Sequence, residues 1–179
     1  MNLISKFEID KTNEKIRNNG VKLNVLRGYE IITESLIFKM YDVFGRNALL
    51  SLLYQVGTVP GLTIAKRLKE KYNKEIFGIL ESFQILLGEL KEFYSVQITK
   101  VEEDEEKIRF IIENKCFLRD SYKIRKRLKP GKAFCRVNKG YFEKALKEML
   151  GETIKSVEIN FLDDNVEKDI CEEEIIFYK

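Results

Sequence analysis

Histidine and tryptophan are absent from the 179 residues of this chain. Without histidine, the chain has no Ser-His-Asp or Cys-His catalytic group, no zinc-protease helix and no classical zinc finger. No apolar run reaches the roughly 18 residues that a membrane-spanning helix needs. The N-terminus also lacks the charged-then-apolar pattern of a signal peptide. We therefore expect a cytoplasmic protein without a membrane span.

Cysteine and proline are scarce, with three and two residues. An odd number of cysteines without a C-x-x-C motif argues against a disulfide framework and against a redox motif, so we expect reduced thiols. Hydrophobic residues make up 44% of the chain, which is enough for the core of one domain of this length. The net charge is only +3 and indicates no overall attraction to polyanions.

Hydrophobic periodicity predicts an α+β domain with a largely antiparallel sheet and a helical block on one side of it. Alternating apolar residues predict three hairpins, formed by residues 3–9 with 21–26, 94–99 with 108–113, and 154–162 with 174–178. Helical spacing predicts five helices, at residues 32–44, 48–56, 60–72, 76–87 and 139–150. The predicted order is ββ-αααα-ββ-α-ββ. Gly45, Gly57 and Pro60 mark the expected breaks in the helical block.

A basic segment, residues 119–139, contains nine lysines or arginines and one acidic residue, a net charge of +8. Such a segment can bind phosphates or nucleic acid, although a solvated helix face or a dimer contact has the same composition. Residues 48–72 can also be interpreted as a helix-turn-helix in which residues 63–68 enter a DNA groove. A DNA-binding regulator is therefore an alternative function, although most of the basic charge lies elsewhere in the chain.

Cys135, Glu158 and Cys171 carry sulfur and oxygen donors that suit a tetrahedral Zn²⁺ ion. We expect the strand–turn–strand path of the last hairpin to bring Glu158 and Cys171 back together. A cysteine without a redox motif is, however, more often a small buried hydrophobe. On the residues alone, both interpretations stay open.

The order of several segments resembles the 4-vinyl reductase domain family, whose members are also called hydrocarbon-binding proteins. The resemblance covers residues 26–179. It rests on the segment CRVNKGY at residues 135–141, a helix that ends at Leu150-Gly151, the pair Val157-Glu158, and then Cys171 and Phe177. The glycine-punctuated helices around Phe44-Gly45, residues 52–57 and Gly61 agree with it.

The resemblance implies a stand-alone domain spanning residues 1–179, with residues 1–27 as an N-terminal hairpin and residues 28–179 as the family-like core. Such a domain would bind or sense a small hydrophobic, aromatic or tetrapyrrole-like molecule and form a homodimer. Its fold would be similar to that of trafficking-complex subunits that bind acyl chains. No catalytic residues are expected. The family name adds a third alternative, reduction of a vinyl group on a tetrapyrrole, for which the sequence shows no nucleotide-binding fingerprint.

The resemblance also implies zinc as the one cofactor. In zinc-containing members the ligands are a cysteine before the helix, a glutamate on the next strand, a cysteine three residues later, and a last cysteine. Cys135, Glu158 and Cys171 match three of these positions, but Phe161 occupies the fourth and cannot bind metal. The donor set is thus incomplete, and Cys116, Asp163 or Asp164 would have to complete it. Strand alternation then suggests a ligand pocket whose walls are Phe110, Ile112, Phe142 and Phe161.

Overall fold

A computed structural model describes residues 5–18, 25–117 and 133–179 of the chain. The described elements are α1 (Lys6–Asn18), α2 (Val25–Tyr72), α3 (Ile79–Glu89), β1 (Tyr94–Glu103), β2 (Lys107–Cys116), α4 (Ala133–Leu150), a 3₁₀ turn (Gly151–Thr153), β3 (Ser156–Asn165) and β4 (Ile170–Tyr178). The chain divides into two compact units, Met1–Phe38 and Lys39–Lys179. The predicted α+β class is confirmed.

The first unit contains α1 and the beginning of α2. The predicted strand at residues 3–9 is wrong, because Lys6–Asn18 is a helix. A capping box explains the error: Ser5 Oγ accepts a hydrogen bond from the Glu8 backbone N–H, and the Ser5 N–H donates to Glu8 Oε2. That motif initiates a helix and outweighs three alternating apolar residues. The other strand of this hairpin, residues 21–26, lies mostly outside the described residues, and its last two residues begin α2.

Helix α2 departs from helical geometry at Gly45, where φ is 74°. The expected helix end at Gly45 is therefore confirmed. The expected break between Gly57 and Pro60 is wrong, because the helix continues through both residues to Tyr72. The helix-turn-helix interpretation is wrong for the same reason: residues 63–68 belong to one uninterrupted helix.

By length and composition, Ile31–Tyr72 contains an 18-residue window that could cross a membrane, with a mean hydropathy of 1.4. Only 28% of that window is buried. Further along the same helix, Ala65 and Leu68 are fully buried within the hydrophobic core. The apolar character of this C-terminal part is thus explained by core packing, and the absence of a membrane span stays a prediction.

The four described strands form one antiparallel sheet in the order β1-β2-β4-β3. Two of the predicted hairpins are confirmed, and the last one is longer than expected on both sides of its turn. In the β1–β2 turn, Asp104 Oδ1 accepts hydrogen bonds from the backbone N–H groups of Glu106 and Lys107, both at 2.9 Å. An Asx-type turn of this kind joins the two strands in a fixed register.

Helix α4 packs its apolar stripe on one face of the sheet. Phe142, Ala145, Leu146 and Met149 are buried, as the helical spacing predicts. The helix begins at Ala133, six residues earlier than expected, and Gly151 follows its end with a φ of 58°. Side chains of α2, α3, α4 and the sheet share one core cluster, which includes Leu68, Phe77, Leu86, Phe110, Leu146, Met149 and Phe177.

Candidate functional site

A cavity of about 280 Å³ lies between the first half of α4 and the sheet. We call it the α4–sheet pocket. Its described walls include Asn114 and Cys116 of β2, Cys135, Asn138 and Phe142 of α4, Ile159 and Phe161 of β3, and Cys171 and Glu173 of β4. This volume lies just below the range of about 300–1,000 Å³ that is usual for small-molecule sites.

The position of this pocket follows from strand alternation on the face of the sheet that packs on α4. On β2, Phe110 and Ile112 fill the core, and Asn114 and Cys116 continue the same face toward the pocket. On β4, Cys171 and Glu173 occupy the same face ahead of buried Ile175. The hydrophobic core therefore ends where these polar and thiol side chains begin.

Two polar side chains of the pocket are hydrogen-bonded to each other. Asn114 is 5% exposed, and its amide nitrogen donates to both carboxylate oxygens of Glu173, at 3.3 and 3.4 Å. Burial raises the pKa of Glu173 to about 7, and the hydrogen bond from Asn114 partly opposes this effect. A carboxyl group that changes charge near neutral pH thus faces the pocket.

Tyr94 of β1 contacts two of the α4 residues that line the pocket. The Tyr94 ring packs edge-to-face on Phe142, with centroids 5.1 Å apart, and its hydroxyl donates to Asn138 Oδ1 at 3.0 Å. Burial is the main cause that raises the pKa of Tyr94, so its hydroxyl stays protonated at neutral pH. These contacts position Asn138 and Phe142 at the pocket wall.

The structure brings Cys135 and Cys171 to this pocket, together with Cys116. It places Glu158 elsewhere. In the β3–β4 register, Glu158 lies opposite Ile176, whereas Cys171 lies opposite Asp164, six residues further along β3. The expectation that the hairpin brings Glu158 back to Cys171 is therefore wrong, because both strands extend beyond their predicted ends.

Zinc binding is not supported by this arrangement of donors. Glu158 accepts a hydrogen bond from the Tyr178 hydroxyl at 3.2 Å and lines a different groove. Within residues 5–18, 25–117 and 133–179, no three His, Cys, Asp or Glu side chains converge as metal ligands. The predicted set does not fit a zinc ion as placed. Zinc in the purified protein stays a prediction that metal analysis would test.

The four predicted pocket residues separate into two pairs. Phe142 and Phe161 line the α4–sheet pocket. Phe110 and Ile112 lie in the core beneath it, where they are 2% and 3% exposed. Sequence reasoning missed Asn114 and Glu173. The available signal was that each continues the alternation of an apolar strand face with a polar residue.

A second groove, of about 620 Å³, runs along β3, the last strand of the described sheet, beside α2 and α4. Buried Glu143 lies at its base and joins three elements. Its Oε1 accepts from the Ile159 backbone N–H at 2.7 Å, and its Oε2 accepts from the Tyr54 hydroxyl at 2.8 Å. Burial and the nearby Glu143 carboxylate raise the pKa of Tyr54 to about 12. With both carboxylate oxygens occupied, Glu143 has a structural role in this groove.

The basic segment lies mostly outside the described residues, which resume at residue 133. Of its described side chains, Arg136 and Lys139 line both the pocket and the groove. Lys139 Nζ lies 3.3 Å from Glu143 Oε1 and 3.3 Å from Asn160 Oδ1. At least one charge of the segment is therefore paired within the fold.

Among proteins of known structure, this fold matches two that were solved with bound molecules. One is the phenol-responsive sensory domain of the transcription activator PoxR with phenol, at 12% identity and a TM-score of 0.53, covering 80% of this chain and 71% of that one. The other is trafficking protein particle complex subunit 3 from Naegleria fowleri covalently bound to palmitic acid, at 15% identity and a TM-score of 0.55, covering 83% and 92%. The TM-scores over most of the chain establish a shared fold, and the expected similarity of fold to trafficking-complex subunits is confirmed.

No family model and no curated protein matches the sequence. The resemblance to the 4-vinyl reductase domain family therefore stays a prediction. The two structural matches support the general part of that resemblance: in other proteins, this fold binds small hydrophobic molecules.

Proposed function

We propose that this chain binds a small hydrophobic molecule in the α4–sheet pocket. The observation that carries the proposal is the cavity of about 280 Å³ between a helix and a sheet. Six of its lining residues are apolar or carry a thiol, and six are polar or charged. Concave sites in which polar groups orient a ligand against apolar side chains are usual places for small molecules to bind. The phenol and palmitic acid bound by the two similar folds are apolar molecules with one polar end, which agrees with such a pocket.

The same domain is proposed to act in binding or sensing and to have no catalytic residues of its own. Vinyl reduction of a tetrapyrrole would need a hydride donor. An assay with a reduced nicotinamide cofactor and a vinyl tetrapyrrole tests that alternative. Cytoplasmic location and homodimer formation also remain proposals. Sedimentation velocity of the purified chain tests homodimer formation, with twice the monomer mass of 21.1 kDa expected.

Binding can be tested by filling the pocket. Cys135 is partly exposed on α4 and lines the cavity, so Cys135→Phe places a ring in that volume. Native mass spectrometry first identifies any molecule that copurifies with the wild-type protein. Titration calorimetry with phenol and with decanol then compares the variants. We expect at least one of the two probes to bind the wild-type protein and to bind Cys135→Phe at least about tenfold more weakly.

The matched control is Glu172→Phe, which adds the same ring at an exposed position of β4 outside the pocket lining. Circular dichroism verifies that both variants fold. Equal binding by Cys135→Phe and the wild-type protein would move the site away from this pocket. Absence of any copurified or added apolar ligand would refute the proposed function.

A further inference from the structure

Arg136 is a cation of α4 that has no ion pair with any of the described carboxylates. It is partly exposed, and it lines both the α4–sheet pocket and the groove along β3. Lys139, the other cation shared by the two cavities, is instead paired with Glu143 at 3.3 Å. Because the long side chain of Arg136 borders both cavities, its guanidinium is within reach of a molecule in the pocket.

The acidic side chains of the two cavities already have partners within the fold. Three carboxylates line the pocket or the groove, and each accepts a hydrogen bond from a neighbouring side chain: Glu143, Glu158 and Glu173. The first turn of α4 contains no acidic residue, so the positive end of the helix dipole adds to the charge of Arg136. Among the described residues, this side of the pocket therefore has a positive charge without a counterion.

We propose that the ligand of the α4–sheet pocket is a small apolar acid whose ionised carboxylate binds the Arg136 guanidinium. This inference rests on the proposed function and adds the chemical class of the ligand. A guanidinium presents parallel N–H donors that match both oxygens of a carboxylate, and such charge-assisted hydrogen bonds are stronger than neutral ones. The apolar part of the same molecule contacts Phe142, Ile159 and Phe161, which line the pocket.

Two other classes of ligand fit the pocket less well. A neutral apolar molecule leaves the charge of Arg136 without a counterion. An apolar amine would meet two cations, Arg136 and Lys139, and a single carboxylate of the described lining, Glu173. Glu173 opposes an acid only weakly at neutral pH, because burial raises its pKa to about 7 and keeps much of it protonated. The modest volume further favours an acid of about the size of one aromatic ring.

The test compares benzoate with benzyl alcohol, two probes of similar shape that differ in charge. Titrations at pH 6 keep Glu173 mainly protonated, because its pKa is about 7, and keep benzoate ionised. We expect the wild-type protein to bind benzoate about tenfold more tightly than benzyl alcohol, the difference typical of a hydrogen bond between charged groups. Arg136→Met, which keeps an unbranched side chain without the charge, is expected to lose this preference and to bind benzyl alcohol as well as the wild-type protein does.

Acetate tests whether the carboxylate site and the pocket belong together. It carries the same carboxylate as benzoate but has no ring to fill the pocket. Since burial of an aromatic ring contributes about 1.5–3 kcal/mol, we expect acetate to bind the wild-type protein at least about tenfold more weakly than benzoate.

Lys144→Met is the matched control on the same helix. Lys144 is a partly exposed cation that is absent from the lining of both cavities, and its substitution changes the net charge by the same amount. We expect this variant to keep the preference for benzoate, whereas a general effect of net charge would act on both variants alike. Thermal unfolding verifies that both methionine variants fold, and Arg136→Gln serves as a second substitution if Arg136→Met does not.

Each outcome decides the inference. Equal binding of benzoate and benzyl alcohol by the wild-type protein overturns it but leaves the proposed function intact. A preference that survives in both Arg136 variants, or that Lys144→Met also loses, overturns it as well, because Arg136 then does not hold the anion. Acetate binding as tight as that of benzoate would again refute only the inference, since the carboxylate site would be separate from the pocket. If benzoate, benzyl alcohol, phenol and decanol all fail to bind, both the inference and the proposed function are refuted.

Discussion

Helix α4 contacts the protein on two sides, and the two contacts are built differently. Toward α2 it presents backbone, and no side chain separates the helices at Gly57, Gly61 and Gly140. Toward the sheet it presents side chains, including Phe142 and Cys135, and these leave a cavity. At these three glycines the α2–α4 contact has no room for an additional atom, whereas the pocket has space for a small molecule.

The distances at the helix crossing show how tight it is. A Cβ atom on Gly57 would lie 2.0 Å from the Val137 carbonyl oxygen, and one on Gly140 would lie 2.1 Å from the Tyr54 carbonyl oxygen. Gly57 and Gly61 are one helical turn apart, so both face α4. Small residues at this spacing let helix backbones approach closely. Substitutions should therefore reduce stability at the crossing and change binding, more than stability, at the pocket.

The largest effect is expected for Gly140→Val. The side chain would collide with the backbone of α2, which cannot rotate away as a side chain can, so the helices must separate. We expect a loss of about 3 kcal/mol or more in the free energy of unfolding. Urea denaturation followed by circular dichroism measures it.

Gly88→Ala is the matched control, since no atom lies within 4 Å of a Cβ atom placed on this helical glycine of α3. Alanine should stabilise that helix by about 0.5–1 kcal/mol through its higher helix propensity. If Gly140→Val proves as stable as the wild-type protein, the close α2–α4 contact is not present in solution.

Glu143→Ala should have the next largest effect. Its carboxylate joins α4 to α2 through Tyr54 and to the edge of β3 through the Ile159 N–H. Alanine leaves both donors without their partner, and we expect a loss of about 2–3 kcal/mol in the free energy of unfolding. The same denaturation experiment measures it.

Tyr54→Phe separates the two contacts of Glu143. It removes only the hydroxyl donor, so we expect a smaller loss of about 1 kcal/mol. A Tyr54→Phe loss as large as that of Glu143→Ala would mean that the contact to β3 contributes nothing. That result would confine the role of Glu143 to the helix crossing.

Local patterns predicted much of the fold. The period of the apolar residues predicted the β1–β2 hairpin and the buried stripe of α4, because those elements bury one face each. Gly57 was predicted to end a helix, and that prediction was wrong. In the structure it lies inside α2, where the absence of a side chain lets α2 contact α4 closely. A glycine in a helix crossing and a glycine at a helix end look alike in a sequence, since only the partner distinguishes them.

The candidate site was less predictable, because it depends on strand register. Cys135 and Cys171 were grouped from the sequence, and the structure places both at the pocket. Glu158 was grouped with them on the assumption of a shorter hairpin, and the additional residues at the β3–β4 turn move it to another groove. Asn114 was not singled out, because a polar residue at the end of a strand is ordinary until its neighbours are known.

Glu173→Gln should change stability by an amount that depends on pH. Burial raises the pKa of Glu173 from 4.5 to about 7, so the folded protein holds this proton more tightly than the unfolded chain does. The stability that this provides is present below pH 4.5 and is lost as the pH rises through 7.

Glutamine does not titrate, so the variant avoids that loss while its carbonyl oxygen can still accept from Asn114. We expect the free energy of unfolding of the variant to rise by about 1–3 kcal/mol relative to that of the wild-type protein between pH 4.5 and pH 8. This range follows from a pKa raised to about 7 on a side chain that is partly open to the pocket. Urea denaturation at both pH values measures this difference, and carboxyl groups common to both proteins cancel in it. Exposed Glu172→Gln is the control and should show no such gain. If the difference in stability between Glu173→Gln and the wild-type protein does not depend on pH, water reaches the Glu173 carboxyl freely. The pocket would then be open to solvent, and substitutions there would not differ from substitutions at an exposed surface.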